Sequence, residues 1–134
     1  IICLGELFMK VLTIREPFAT LIKDKVKIYE TRSWKTNYRG EIYIHTAKAR
    51  SKASNVSIAS TYLKSQENPE HIVCKCLLKD CIYMNEDFIN EIKKNKEEYN
   101  SGHYEVGRYA WQLEVIEVLK EPIYAKGQLS IWNF

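Results

Sequence analysis

Two basic side chains flank one carboxylate in the segment Lys27, Ile28, Tyr29, Glu30, Thr31, Arg32, Ser33, Trp34, and Tyr38, Arg39 and Gly40 follow closely. Read as a strand, the segment sends Ile28, Glu30, Arg32 and Trp34 to one face and Lys27, Tyr29, Thr31 and Ser33 to the other. An acid, a guanidinium and a large ring then share a surface. Donors, an acceptor and a stacking platform together suit a nucleobase or nucleotide better than an apolar ligand. Taken alone, the segment also fits a half-buried strand in which Glu30 and Arg32 only pair with each other. Lys27 has the opposite parity, so it joins Glu30 only if it lies at the turn before regular pairing or beside a bulge.

A lysine can act as a general base when burial lowers its pKa, but an adjacent anion such as Glu30 raises the pKa and keeps the amine charged. The expectation is a charged Lys27 that binds a phosphate or carbonyl oxygen. Glu30 would activate water as a base or accept hydrogen bonds from a base's exocyclic amine. His45, on the strand face opposite Ile42 and Ile44, reads first as a structural hydrogen-bonding residue. Trp111 shares a face with Tyr109, Leu113 and Val115 and reads as core. Trp132 reads as a packing anchor, whereas Trp34, beside Lys35 and Arg39, is open to ligand.

The elements that must position these residues alternate along one chain. Residues 9–14 (MKVLTI) alternate like a short strand, and Glu16 and Pro17 open a helix through Ile22. A basic turn at 23–25 feeds a strand over 26–34, and a turn at Tyr38, Arg39 and Gly40 precedes another over 41–47. Residues 49–64 are Ala- and Ser-rich and read as helical. A long strand over 71–83, a helix over 85–99 and a last long strand over 108–118 follow, with Pro122 stopping that strand or confining it to an edge. This mixed order predicts an α+β domain on a curled sheet or small barrel.

The 134 residues, 46% apolar and 12% aromatic, suffice for one domain with a real core. Residues 1–8 read as an N-terminal extension and 9–134 as the domain. No apolar run approaches the roughly 20 residues of a membrane span, and residues 1–8 are too short for a signal peptide, so the chain reads as cytoplasmic with no membrane partner. Cys3, Cys74, Cys76 and Cys81 match neither zinc knuckles nor a secreted disulfide framework, and the three histidines are scattered, so no metal and no cofactor are expected. Charge is uneven: residues 1–64 hold 12 Lys or Arg against 5 Asp or Glu, and residues 65–134 hold 8 against 12. The basic half, which includes the cluster Lys48, Arg50 and Lys52, would attract a polyanion.

Several separated pieces follow one pattern: a proline-led helix, KxxExR (Lys27, Glu30, Arg32), Trp34, YRG (38–40), IHTA (44–47), GRYAWQL (107–113) and KGQLSIW (126–132). In order and spacing they resemble the ASCH domain of the PUA-like superfamily. The resemblance implies a small mixed β-barrel with flanking helices and a cleft lined by the KxxExR strand. It also implies RNA or nucleotide binding, with Lys27, Arg32 and Trp34 in the cleft and Arg39, His45, Lys48 and Arg50 at its rim. Two branches of the family look enzymatic, one similar to an amidohydrolase acting on acylated cytidine and one to a ribonuclease, which makes a small hydrolase using Lys27 and Glu30 the alternative. The amidohydrolase branch resembles KxxT, and this chain has Glu30 at the threonine position, with Thr31 expected on the opposite face. A protein-interaction domain with a protein partner is the reading that needs no such ligand.

Overall fold

The computed structural model describes residues 9–51 and 67–134; the N-terminal extension, Lys52 and most of the 49–64 helical expectation lie outside them. Six strands among the described residues form one sheet: β1 (Lys10–Ile14), β2 (Tyr29–Arg32), β3 (Gly40–Thr46), β4 (His71–Tyr83), β5 (Tyr109–Tyr124) and β6 (Ile131–Asn133). Their spatial order is β2-β5-β4-β3-β1-β6. Only β1 and β3 run parallel; every other neighbouring pair is antiparallel.

Curling follows from the register. The β4–β5 pairing shifts at three places, between Ile72 and Cys74, Lys75 and Cys76, and Leu78 and Asp80. Each such irregularity bends the ribbon and increases its twist. The curl brings β2, at one edge, back toward β1 near the other, where Arg32 Nη2 donates to the Thr13 carbonyl at 2.9 Å. The result is an α+β half-barrel, the curled-sheet form that the resemblance implies.

Inside it, Leu12, Ile14, Ile42, Ile44, Cys74, Cys76, Leu78 and Trp111 form the main core. Each fully buried Ile or Leu contributes about 1.5–3 kcal/mol. Helix α1 (Phe18–Lys23) plugs this core with Ala19 and Ile22, and its start is held by Glu16, whose carboxylate accepts from Thr20 N at 2.8 Å and Thr20 Oγ1 at 2.6 Å. A second cluster, Met84, Ile89, Ile92, Tyr104 and Ala110, mounts α2 (Glu86–Lys93) and α3 (Lys96–Asn100) at the β2 end of the sheet.

Three expectations are corrected. The strand expected over 26–34 is regular only over Tyr29–Arg32, because the amides of Val26 and Lys27 both bond back to the Leu21 carbonyl at the end of α1. The helix expected over 85–99 is two helices, since Asn95 repeats the capping of Asn85: each accepts from the amide three residues on, Phe88 and Glu98. The last long strand runs to Tyr124 rather than Val118. Pro122 is tolerated because β2 pairs only with Tyr109–Gln112, which leaves the rest of β5 with β4 as its sole neighbour. No helix among the described residues is long and apolar enough to cross a membrane.

Candidate functional site

A cavity of about 600 Å³ opens where β2, the end of β1 and the loop after α3 meet. β2 supplies Glu30, Thr31 and Arg32 to one wall, and Asn100, Ser101, Gly102 and His103 supply the wall facing it. Thr13, Arg15 and Phe18 come from the β1–α1 junction, Ala47, Ala49 and Ser51 give a rim, Gln128 to Ser130 close the remaining side, and Arg108 lines the cavity from beside Thr31 and His103. Thr31 belongs to the wall although parity sends it away from Glu30. Its Oγ1 accepts from the His103 amide at 3.0 Å, so the loop after α3 wraps onto that face.

Arg32 is fixed from all sides. Its Nε donates to Glu30 Oε2 at 3.1 Å, its Nη2 forms an ion pair with the same oxygen at 2.9 Å and donates to Thr13 O at 2.9 Å, and the guanidinium lies 5.5 Å from the Trp34 ring and 5.8 Å from the Trp111 ring. Cation–π contacts of this kind hold the plane of the group as well as its charge. Both Arg32 contacts with Glu30 use Oε2; among the described residues Oε1 has no hydrogen-bond partner. Glu30 thus presents one oriented acceptor to the cavity.

Lys27 lies before the first paired residue of β2, and its side chain runs inward beside the wall residues Phe18 and Gly102; against expectation it does not itself line the cavity, because that packing buries its amine. It is 1% exposed, with Nζ 5.6 Å from the Phe18 ring centre and 3.9 Å from Glu98 Oε2. At 3.9 Å this is an ion pair without a hydrogen bond. Nζ is the only buried side-chain nitrogen or oxygen among the described residues that lacks a hydrogen-bond partner. Burial holds its pKa below the ordinary lysine value, against the opposing pull of Glu30 and Glu98. The expectation that Glu30 would keep the pKa raised is therefore overturned, because desolvation of a fully buried amine outweighs two nearby carboxylates.

Glu98 and Gly102 explain how the amine is held there. Glu98 is buried on α3, accepts from the amides of Ile28 at 2.9 Å and Tyr29 at 3.4 Å and from Tyr104 OH at 3.0 Å, and so pins the Lys27 turn to the facing wall. Burial pushes the Tyr104 hydroxyl well above its usual value, so it remains a donor. A Cβ on Gly102 would lie 2.7 Å from Tyr104 Cε2, 3.1 Å from Thr31 Cγ2 and 3.2 Å from Lys27 Nζ, so only glycine lets the loop close over the amine.

The other residues singled out from sequence lie elsewhere. His45 is fully buried behind the cavity wall: Nε2 donates to Ala125 O at 2.6 Å and Nδ1 accepts from Thr13 Oγ1 at 3.1 Å, which itself accepts from Trp132 Nε1 at 3.0 Å. Burial lowers its pKa, consistent with a neutral ring. Trp34 is half exposed, flanks Arg32 and meets Trp111 edge-on, but is outside the cavity wall. Arg39 is exposed, donates to the carbonyls of Thr36 and Tyr38, and pairs with Asp80 at 3.6 Å, away from the cavity. Lys48 and Arg50 are exposed on the rim segment between residues that do line it.

Sequence reasoning missed Arg15, Glu98, Gly102, His103 and Arg108. Glu98 lies on the short helix that the second Asn cap opens and Gly102 in the loop after it, and nothing local in the sequence shows that both pack over Lys27. Arg108 stands beside Gly107 in the GRYAWQL motif, and its contacts to Thr31 and His103 are non-local. No three His, Cys, Asp or Glu residues among those described are grouped as a metal site. Cys74 and Cys76 are free thiols buried in the core. The family model for the ASCH domain matches residues 12–125. No curated protein matches the chain.

Proposed function

The chain belongs to the ASCH domain family, and on that premise we propose that it binds RNA or a nucleotide in the cavity above β2. The observation that carries this reading is that Arg15, Arg32 and Arg108 all line one cavity of about 600 Å³. That volume falls in the range of small-ligand and cofactor sites, roughly 300–1,000 Å³. Glu30 Oε1 would accept from a base amine or ring N–H, the arginines would meet anionic oxygen, and Lys48 and Arg50 on the rim would draw a strand toward the opening. Single-stranded RNA is expected to bind with an affinity that falls as salt rises, each neutralised phosphate contributing a slope of about −0.7. Fluorescence titration over a range of salt checks this. The double variant Lys48→Glu/Arg50→Glu should flatten the slope and weaken binding, and absence of binding at low salt would reject the RNA arm of the proposal.

One observation favours a second reading, a small hydrolase acting on RNA or a modified nucleoside in the same cavity. Lys27 Nζ is buried without a hydrogen-bond partner, and its pKa is lowered, as for an amine available to take a proton. Glu30 would then be the base toward water. Glu30→Gln keeps shape and polarity, and in a hydrolase of this design it should cost on the order of 10²- to 10⁴-fold in rate. A screen of nucleosides and short RNAs supplies the substrate. Full rate in Glu30→Gln would remove that role from Glu30.

A further inference from the structure

Resting on the reading of this cavity as a ligand site, we infer that one part of it is a subsite for a terminal phosphate, a phosphomonoester dianion, held by Arg15 and Arg108. The charges around the cavity divide unequally. Arg32 is neutralised by Glu30 at 2.9 Å. Among the described residues neither Arg15 nor Arg108 has a carboxylate within ion-pairing distance, though both line the wall. Two arginines without a carboxylate partner among the described residues therefore line one cavity, whose one carboxylate, Glu30, is already engaged by Arg32.

Arg108 is also preset. Its Nε donates to His103 O at 3.0 Å and its Nη2 to Thr31 O at 3.4 Å, so carbonyls from both walls hold it before any ligand arrives. Carbonyls orient a guanidinium without cancelling its charge. An internal RNA phosphate carries one negative charge, whereas a phosphomonoester carries about 1.5 to 2 at neutral pH and three acceptor oxygens, which matches two free guanidinium charges. Ser130 and Gln128 add neutral side chains that can donate to the remaining oxygens.

The probe is inorganic phosphate added to the full chain, with backbone amide signals followed by NMR. Saturable shifts at Thr31, His103, Arg108 and Ser130 are expected. Arg15→Gln and Arg108→Gln should each weaken the titration by about 10- to 100-fold, the range of a charge-assisted hydrogen bond. Lys79→Ala, a surface change, should leave it intact. Because Arg108 also bridges two walls, Arg15→Gln is the decisive variant: Arg15 is exposed, and its loss does not remove a contact between elements. Paired arms then name the source, a nucleoside against its 5′-monophosphate and a 5′-hydroxyl against a 5′-phosphorylated oligoribonucleotide, the added phosphate strengthening binding in at least one pair. Phosphate shifts without any RNA or nucleotide binding would retain the subsite and reject the parent reading. Binding of hydroxyl-ended RNA with no gain from a terminal phosphate and no phosphate shifts would do the reverse, and a phosphate titration untouched by Arg15→Gln would also overturn the subsite.

Discussion

His45 and Lys27 are both titratable and both buried, yet their surroundings are built on opposite principles. Around His45 every polar atom is answered: Trp132 donates to Thr13, Thr13 to His45 Nδ1, and His45 Nε2 to Ala125 O. The chain ties β1, β3 and the segment before β6 together. Around Lys27 each carboxylate has at least one partner and the amine has no hydrogen bond. Glu98 has two amides and a phenol, Glu30 has Arg32, and Nζ has an ion pair at 3.9 Å and no hydrogen bond. A buried polar group that leaves its bonding capacity unused costs about 1–3 kcal/mol. Within one small half-barrel the satisfied group belongs to the scaffold, and the unsatisfied one lies next to the wall of the cavity proposed to take a ligand.

The largest effect expected from this contrast is on stability, at His45. His45→Ala removes a ring packed edge-on against Trp132 at 5.4 Å and strands both Ala125 O and Thr13, so the loss should be about 2–5 kcal/mol. Urea unfolding measures it, and ligand affinity of the folded fraction should be unchanged. The sign with pH follows from the lowered pKa: the folded state resists protonation of His45, so wild-type stability should fall as pH drops below 6.5 toward the folded value. The His45→Ala variant should lose that part of the acid sensitivity. An equal loss of affinity and stability in this variant would erase the distinction between the two sites.

Lys27→Met tests the other half and should separate binding from stability. Both carboxylates keep other partners, so removing the amine orphans neither, and the cost of burying it disappears. Stability at neutral pH should hold or rise by about 1–3 kcal/mol while ligand affinity drops about 10- to 100-fold. Lys27 has a lowered pKa in the fold, so the wild type should gain stability as pH climbs from the folded value toward the unfolded 10.5, and Lys27→Met should not. Destabilisation by Lys27→Met, with affinity retained, would reverse the roles assigned here.

Much of this architecture is legible in the residues, and the parts that are not share a cause. β1, β4 and the Glu30–Arg32 pairing follow from period-2 alternation. The KxxExR, YRG and GRYAWQL pieces carry the family, which the match over residues 12–125 establishes. Parity also shows that Lys27 has to precede regular pairing to approach Glu30, and β2 does begin at Tyr29. What parity cannot convey is burial. The pKa of Lys27 depends on a helix and loop some 70 residues downstream, where Glu98, Gly102 and Tyr104 cover it. The same holds for His45, whose partners at Thr13 and Ala125 are brought together only by the curl of the sheet. Local patterns predict faces; a solvent-excluded environment is made by non-local packing.

Arg39 supplies the smallest expected effect and the sharpest control on the charge argument. It belongs to the basic half of the chain and to the YRG motif, so a reading from charge alone gives it the same weight as Arg15 or Arg32. Its environment differs. It is exposed, 3.6 Å from an exposed Asp80, and its Nη1 is engaged by the carbonyls of Thr36 and Tyr38. Exposed pairs of this kind contribute about 0–1 kcal/mol, since water and salt screen them. Arg39→Ala should therefore shift stability by less than about 1 kcal/mol and leave nucleotide affinity within about twofold, with only a slight change in the salt slope for RNA. Calorimetry on the same nucleotide used for Lys27→Met provides the comparison. A tenfold loss of nucleotide affinity in Arg39→Ala would mean that the ligand extends well past the cavity, and that positive charge in the basic half, rather than an unanswered buried amine, selects what this protein binds.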